Sequence, residues 1–182
     1  MRTFPVNTLE TAPEASRPAL QALQGAFGFI PNIAGAMSTS PVLIDSLVAL
    51  FGKVHGGSFS EPEIQILLLT NAVTNACGWA VAFHSALALS QGIDAGDVEE
   101  IRKGGLPKDP RHAALSALAR SLIEKRGKLD DAAIQAFLAA GFEKQHALEV
   151  IAAVAASTIT NYTGSVTLPP VEAPFQPHLW AA

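Results

Sequence analysis

The sequence predicts an all-α fold. Three observations carry that prediction: alanine and leucine dominate the chain, apolar residues recur at intervals of three and four, and runs of alternating β-branched residues are absent. With 182 residues, 49% of them hydrophobic, the chain suits one domain with enough apolar material for a core.

The elements follow in order. Arg17 to Phe27 sets Leu20, Leu23 and Phe27 on one face and is punctuated by Gly28 and Pro31, so a short helix is expected there. Ser40 and Pro41 supply an N-cap and a first-turn proline for Val42 to Val54, and Gly56 and Gly57 stop it. Ser60 opens the next helix in the same way, with Glu61, Pro62 and Glu63 in its first turn and a capping box from Ser60 to Glu63. Ile64 to Ala76 is apolar nearly all round, the mark of a central helix.

A break is expected near Asn75 to Gly78, and Cys77 to Gln91 forms the following helix, closed by Gly92. Asp94 to Lys103 reads as a short exposed helix before the polar turn "GGLPKDP". Pro110 to Arg126, Asp130 to Ala139 and Glu143 to about Tyr162 complete the bundle, the last again apolar on most sides. The tail "TLPPVEAPFQPHLWAA" is too rich in proline to be helical, and an extended arm laid over its own subunit or a neighbour is expected. The organisation is a single all-α domain over residues 1–182, with a core motif at 59–93 and a C-terminal arm at 163–182.

Charge narrows the partners. A formal charge of -4 with no basic run disfavours nucleic acid and anionic membranes. The apolar span Ile64 to Leu89 contains Gln65, Thr70, Asn71, Thr74, Asn75, His84 and Ser85, all unfavourable in lipid, so it reads as buried helices of a soluble bundle. A single cysteine makes no internal disulfide and no secretory leader pattern opens the chain, which makes the cytoplasm the expected compartment. No metal-ligand spacing, G-x-G-x-x-G or P-loop is present, so neither a metal nor a nucleotide cofactor is expected.

Chemistry concentrates in "NACGWAVAFH", Asn75 to His84. On a continuous helix Cys77 and His84 are about 700° apart in rotation, nearly one face, and about 10 Å apart in rise. Any partnership between them therefore needs water or substrate as a bridge. A cysteine at a helix N-terminus is expected to have a lowered pKa, which would make Cys77 a nucleophile. The competing reading is a buried core thiol and a core histidine with satisfied hydrogen bonds. His55 at a helix end, His112 and His146 in first turns, and His178 in the tail are weaker candidates, and Trp79 reads as core or as pocket lining.

The segment "FSEPEIQILLLTNAVTNACGWAVAFHSALALSQGI", Phe59 to Ile93, resembles the core motif of the carboxymuconolactone decarboxylase superfamily, and in particular its alkylhydroperoxidase D-like branch. Ser60, Asn75, Cys77, His84 and Gly92 match that motif in register. The upstream "LQGAFGFIPNIAGAMSTSPVLIDSLVALFGKV" and the downstream Thr160 to Tyr162 are similar to peroxidase-related members. The resemblance implies a helical bundle with Ile64 to Ala76 and Cys77 to Gln91 as a central antiparallel pair, and a homo-oligomer, a trimer or a multiple of two or three. It implies peroxide reduction by a cysteine pair, with a glutamate and the histidine relaying protons.

Two positions depart from that pattern. Ala80 stands where the second cysteine of Cys-x-x-Cys would be, and Gln65 stands twelve residues before Cys77 where the relay glutamate would be. Glutamine hydrogen-bonds but does not exchange a proton at ordinary pH. Glu63 lies about 200° round the helix and is no replacement. The expected site is therefore Cys77, His84 and Gln65, in a peroxidase-related protein with an altered redox site. One-cysteine peroxide reduction would proceed through a sulfenic acid returned by an external thiol. The alternatives are non-redox acid/base chemistry of the lactone decarboxylase type using His84, as the resemblance implies, and a non-catalytic oligomeric scaffold.

Overall fold

The computed structural model describes residues 3–181, and among them the secondary structure is helical throughout. Among these residues nine α-helices run α1 (Arg17–Phe27), α2 (Asn32–Met37), α3 (Pro41–His55), α4 (Glu61–Thr74), α5 (Gly78–Ser90), α6 (Ala95–Arg102), α7 (Pro110–Glu124), α8 (Asp131–Ala139) and α9 (Lys144–Thr167). Short 3-10 turns cover Glu14–Ser16 and Ala173–His178.

The expected caps form. Ser40 Oγ accepts the Leu43 N–H at the start of α3. Glu63 reaches back to the Ser60 N–H at 2.9 Å, as a capping box requires. Its other oxygen holds Arg111 of α7 at 2.7 Å, a tie between two helices that the first-turn role alone does not supply.

The uniformly apolar character of α4 has the expected consequence. Every residue from Glu63 to Ala72 is buried, and the helix packs against α5, α7, α9 and α6. It forms the central pair with α5 across the turn at Asn75 and Ala76. The Cys77 N–H returns to the Ala72 carbonyl there, and Ala76 adopts φ 51°, a left-handed conformation usually left to glycine.

Two expectations need correction. Ala173–His178 is a 3-10 turn where the proline content predicts a non-helical arm. Pro174 occupies a first position, where its missing N–H costs nothing, and Pro177 sits within the turn, so proline content does not exclude a short 3-10 segment as it does a long α-helix. A short helix, α2, also occupies Asn32–Met37, a stretch in which Pro31 signals only a stop; that proline is in fact the N-cap residue of α2.

The C-terminal arm lies over its own chain. Phe175 is buried against Phe83 of α5, ring centroids 4.9 Å apart, and Arg102 holds the carbonyls of His178 and Leu179 at 3.0 Å each. Among the described residues no helix is long and apolar enough to cross a membrane.

Candidate active site

Helices α1, α3, α4 and α5 enclose a cavity of about 530 Å³. Its walls include Phe27, Leu47, Phe51, Leu68, Trp79 and Phe83. Against this apolar surface stand a few polar side chains: Gln65 and His84 from the central pair, His55 and Glu61 from facing helix ends, and Gln91 and Thr160. The composition and size are those of a small-molecule site, apolar walls with a few placed polar groups.

Two of the three expected residues meet. His84 Nδ1 lies 3.0 Å from Gln65 Oε1, and both side chains belong to residues only 4% exposed. An amide oxygen only accepts, so His84 Nδ1 carries the proton and Nε2 presents its lone pair. Among the described residues Nε2 has no hydrogen-bond partner, while its ring lines the cavity. Burial, assisted by the positive charge of His55 when that ring is protonated, pushes His84 down to about 3. His84 is thus a neutral acceptor throughout the physiological range.

Cys77 does not join them. It is 2% exposed and is absent from the cavity wall. Its sulfur instead faces α9 at Gly164, where the methyl of an alanine would stand 2.6 Å from Sγ. The reason is local: Cys77 is the N-cap of α5, with φ -95° and ψ 94°, so the helical rotation that would put it on the His84 face does not extend to it. The expected lowering of its pKa is also corrected. Burial pushes the thiol up, and the N–H groups of Ala80 and Trp79 offset this only in part. Gly164 of α9 thereby makes room for a sulfur buried in the bundle.

Trp79 is both core and pocket lining. It is buried and stacked on Phe83 at 4.9 Å, and it lines the cavity. Its indole N–H donates to Glu172 of the arm at 3.0 Å. His112 and His146 are half-buried, the latter accepting the Glu143 N–H at the start of α9.

His55 and Glu61 are cavity residues to which sequence reasoning gives only helix-end roles, His55 as a weaker candidate and Glu61 as a first-turn carboxylate. They stand at the end of α3 and the start of α4, 2.9 Å apart. The one signal for them is that Glu61 precedes Gln65 by about one helical turn, which puts both on one face of α4.

No family profile and no curated protein matches the chain by sequence. Solved structures do match it in shape. A peroxidase-related protein from Ralstonia eutropha JMP134, described as an alkylhydroperoxidase AhpD core, superposes with a TM-score of 0.83 at 18% identity, covering 96% of this chain and 94% of its own. The chain has the alkylhydroperoxidase D-like fold. A peroxidase-related protein from Silicibacter sp. TM1040 shares it at TM-score 0.79 and 17% identity, over 95% and 92% of the two chains. The debrominase Bmp8 does so at 0.73 and 17%, over 93% and 91%. On this alkylhydroperoxidase D-like framework the cavity lies beside the central pair α4 and α5, with His84 and Gln65 on the helices of that pair.

Proposed function

We propose that this chain is a non-redox, acid/base enzyme acting on a small, largely apolar ring compound that carries a hydrogen-bond donor. The donor, a hydroxyl or ring N–H, bonds to Nε2 of His84, and Gln65 is the positioning residue that fixes the tautomer. The observation that carries this reading is the division of the expected site: His84 and Gln65 are in the cavity and Cys77 is outside it. The four aromatic side chains Phe27, Phe51, Trp79 and Phe83 favour a flat ligand. A variant of Bmp8 binds 2,3,4-tribromopyrrole, a small ring with an N–H, on the same fold.

Separate substitutions test it in turnover assays against small hydroxylated or N–H aromatic compounds. His84→Ala is expected to lower the rate roughly 10²-fold or more, while Cys77→Ala leaves it within a few-fold. Loss of activity on removing the sulfur, with a folded protein, overturns the proposal.

A second reading has the two peroxidase-related neighbours in its favour. Cys77 as thiolate would attack peroxide, breaking the O–O bond, releasing an alcohol or water and leaving a sulfenic acid for an external thiol to reduce. A dimedone-type probe decides it: an adduct at Cys77 in native protein supports it, and labelling only after unfolding removes it.

The reading includes self-association. The outer face of α9 and its end expose Leu148, Ile151, Tyr162, Val166 and Leu168, with no charged residue between Glu149 and Glu172. A second copy is the expected cover, and sedimentation velocity over a range of concentrations measures it. A monomer throughout contradicts this part of the proposal.

A further inference from the structure

The two histidines of the cavity are held by the same device. Glu61 and Gln65 are four residues apart on α4, hence on one face, and each presents an oxygen to the Nδ1 of a histidine from a different helix. Gln65 takes His84 of α5 at 3.0 Å. Glu61 takes His55 of α3 with both carboxylate oxygens, at 2.9 and 3.2 Å. Since a carboxylate and an amide oxygen both accept, each ring carries its proton on Nδ1 and keeps Nε2 free. Both rings line the one cavity.

What differs is the environment of each pair. His84 is sealed, beside an uncharged amide, and stays neutral. His55 is 35% exposed in its side chain, leans on Phe51 at 5.9 Å between ring centres, and has a carboxylate beside it. A proton arriving on His55 meets an anion and water. One arriving on His84 meets neither. Two titratable groups of one pocket held in opposed environments are the usual basis for dividing acid/base roles.

We propose that His55, oriented by Glu61, is the group of this pocket that takes up and returns the proton, while His84 accepts the donor's hydrogen bond only until the transfer. This rests on the pocket being a small-molecule site as proposed above, and it names the residue through which that chemistry runs. In the step, the donor turns its hydrogen from His84 Nε2 to His55 Nε2, and the O–H or N–H bond breaks with its electron pair staying on the ligand. The proton forms an N–H bond at His55 Nε2, and the resulting imidazolium pairs with the Glu61 carboxylate. Ligand anion and imidazolium leave the net charge unchanged. The return step reverses this.

The probe is 4-nitrophenol, whose phenol and phenolate forms absorb at different wavelengths. It is titrated into the full chain on the acid side of its own pKa. The expected result is a phenolate band that appears with the wild-type protein and saturates. His55→Gln is expected to keep binding, measured by calorimetry, but lose that band. Glu61→Gln still accepts from Nδ1 but no longer balances an imidazolium, so the band should weaken with binding retained. Both side chains are partly exposed, so neither change threatens the fold. A phenolate band undiminished in His55→Gln overturns this inference and leaves the pocket reading intact. No binding by wild type overturns the pocket reading itself, and the inference with it.

Discussion

A histidine that must remain neutral inside a protein opposes folding in acid. His84 has a folded pKa near 3, below the value of about 6.5 for an exposed imidazole. Between those values the unfolded chain binds a proton that the folded chain does not, so stability is full above about pH 6.5 and declines as pH falls toward 3, by on the order of 1 kcal/mol per pH unit. Glu63, whose carboxyl is held below its usual range by Ser60 and Arg111 despite its burial, works in the same direction at the acid end. Equilibrium urea unfolding at several pH values checks this, and a His84→Phe variant should flatten the slope. Replacing Gln65 by glutamate tests the cause: a carboxylate about 3 Å from Nδ1 favours imidazolium, so the His84 resonance should titrate at a higher pH by NMR. No upward movement would mean the two side chains are not coupled.

The pair His84 and Gln65 is legible in the sequence through the family resemblance, which puts a relay position twelve residues before Cys77 and a histidine seven after it. Cys77 is misplaced by helical arithmetic, since a single non-helical residue at an N-cap ends the rotation on which the count depends. His55 and Glu61 cannot be paired from the sequence at all. Their meeting depends on how the glycine turn after α3 folds back onto α4, and nothing in local periodicity reports that angle.

Among the elements, the turn between α4 and α5 holds strain that can be removed. Ala76 has a left-handed φ of 51° with its side chain exposed, so it bears steric strain and contributes little packing. Glycine there relieves roughly 1–2 kcal/mol of strain and loses up to ~1 kcal/mol through the greater entropy of the unfolded chain. Ala76→Gly is therefore expected to raise stability by about 0.5–1 kcal/mol, measured as a higher urea midpoint at unchanged slope. A lower midpoint would show that the strain is absent. The helix boundaries themselves are largely readable, from Arg17–Phe27 through Asp131–Ala139, because serine, aspartate, proline and glycine mark them chemically. The end of α9 is not: it runs on to Thr167, past Tyr162, through a stretch in which Thr163 and Thr167 each bond the carbonyl four residues back and so give no stop signal.

At the scale of the whole molecule, the arm ties distant parts together. Glu172 accepts from the Trp79 indole with one oxygen and from the Asn32 N–H with the other at 2.6 Å, so one carboxylate joins the tail, the cavity wall and the start of α2. Glu172→Gln should keep one of these bonds well made and loosen the other, shifting tryptophan emission and weakening ligand binding several-fold while the bundle still melts cooperatively. Unchanged affinity would separate the arm from the pocket.

That tie also bears on what a shortened chain would expose. Without the arm, Phe83 lacks Phe175 and Trp79 lacks its acceptor. Such a bundle has one aromatic wall uncovered, and the arm completes it. A stop codon shortly after α9 would fix the protein in that unfinished form, with helices in place and a sticky aromatic face that chaperones, and not substrates, would be the first to meet.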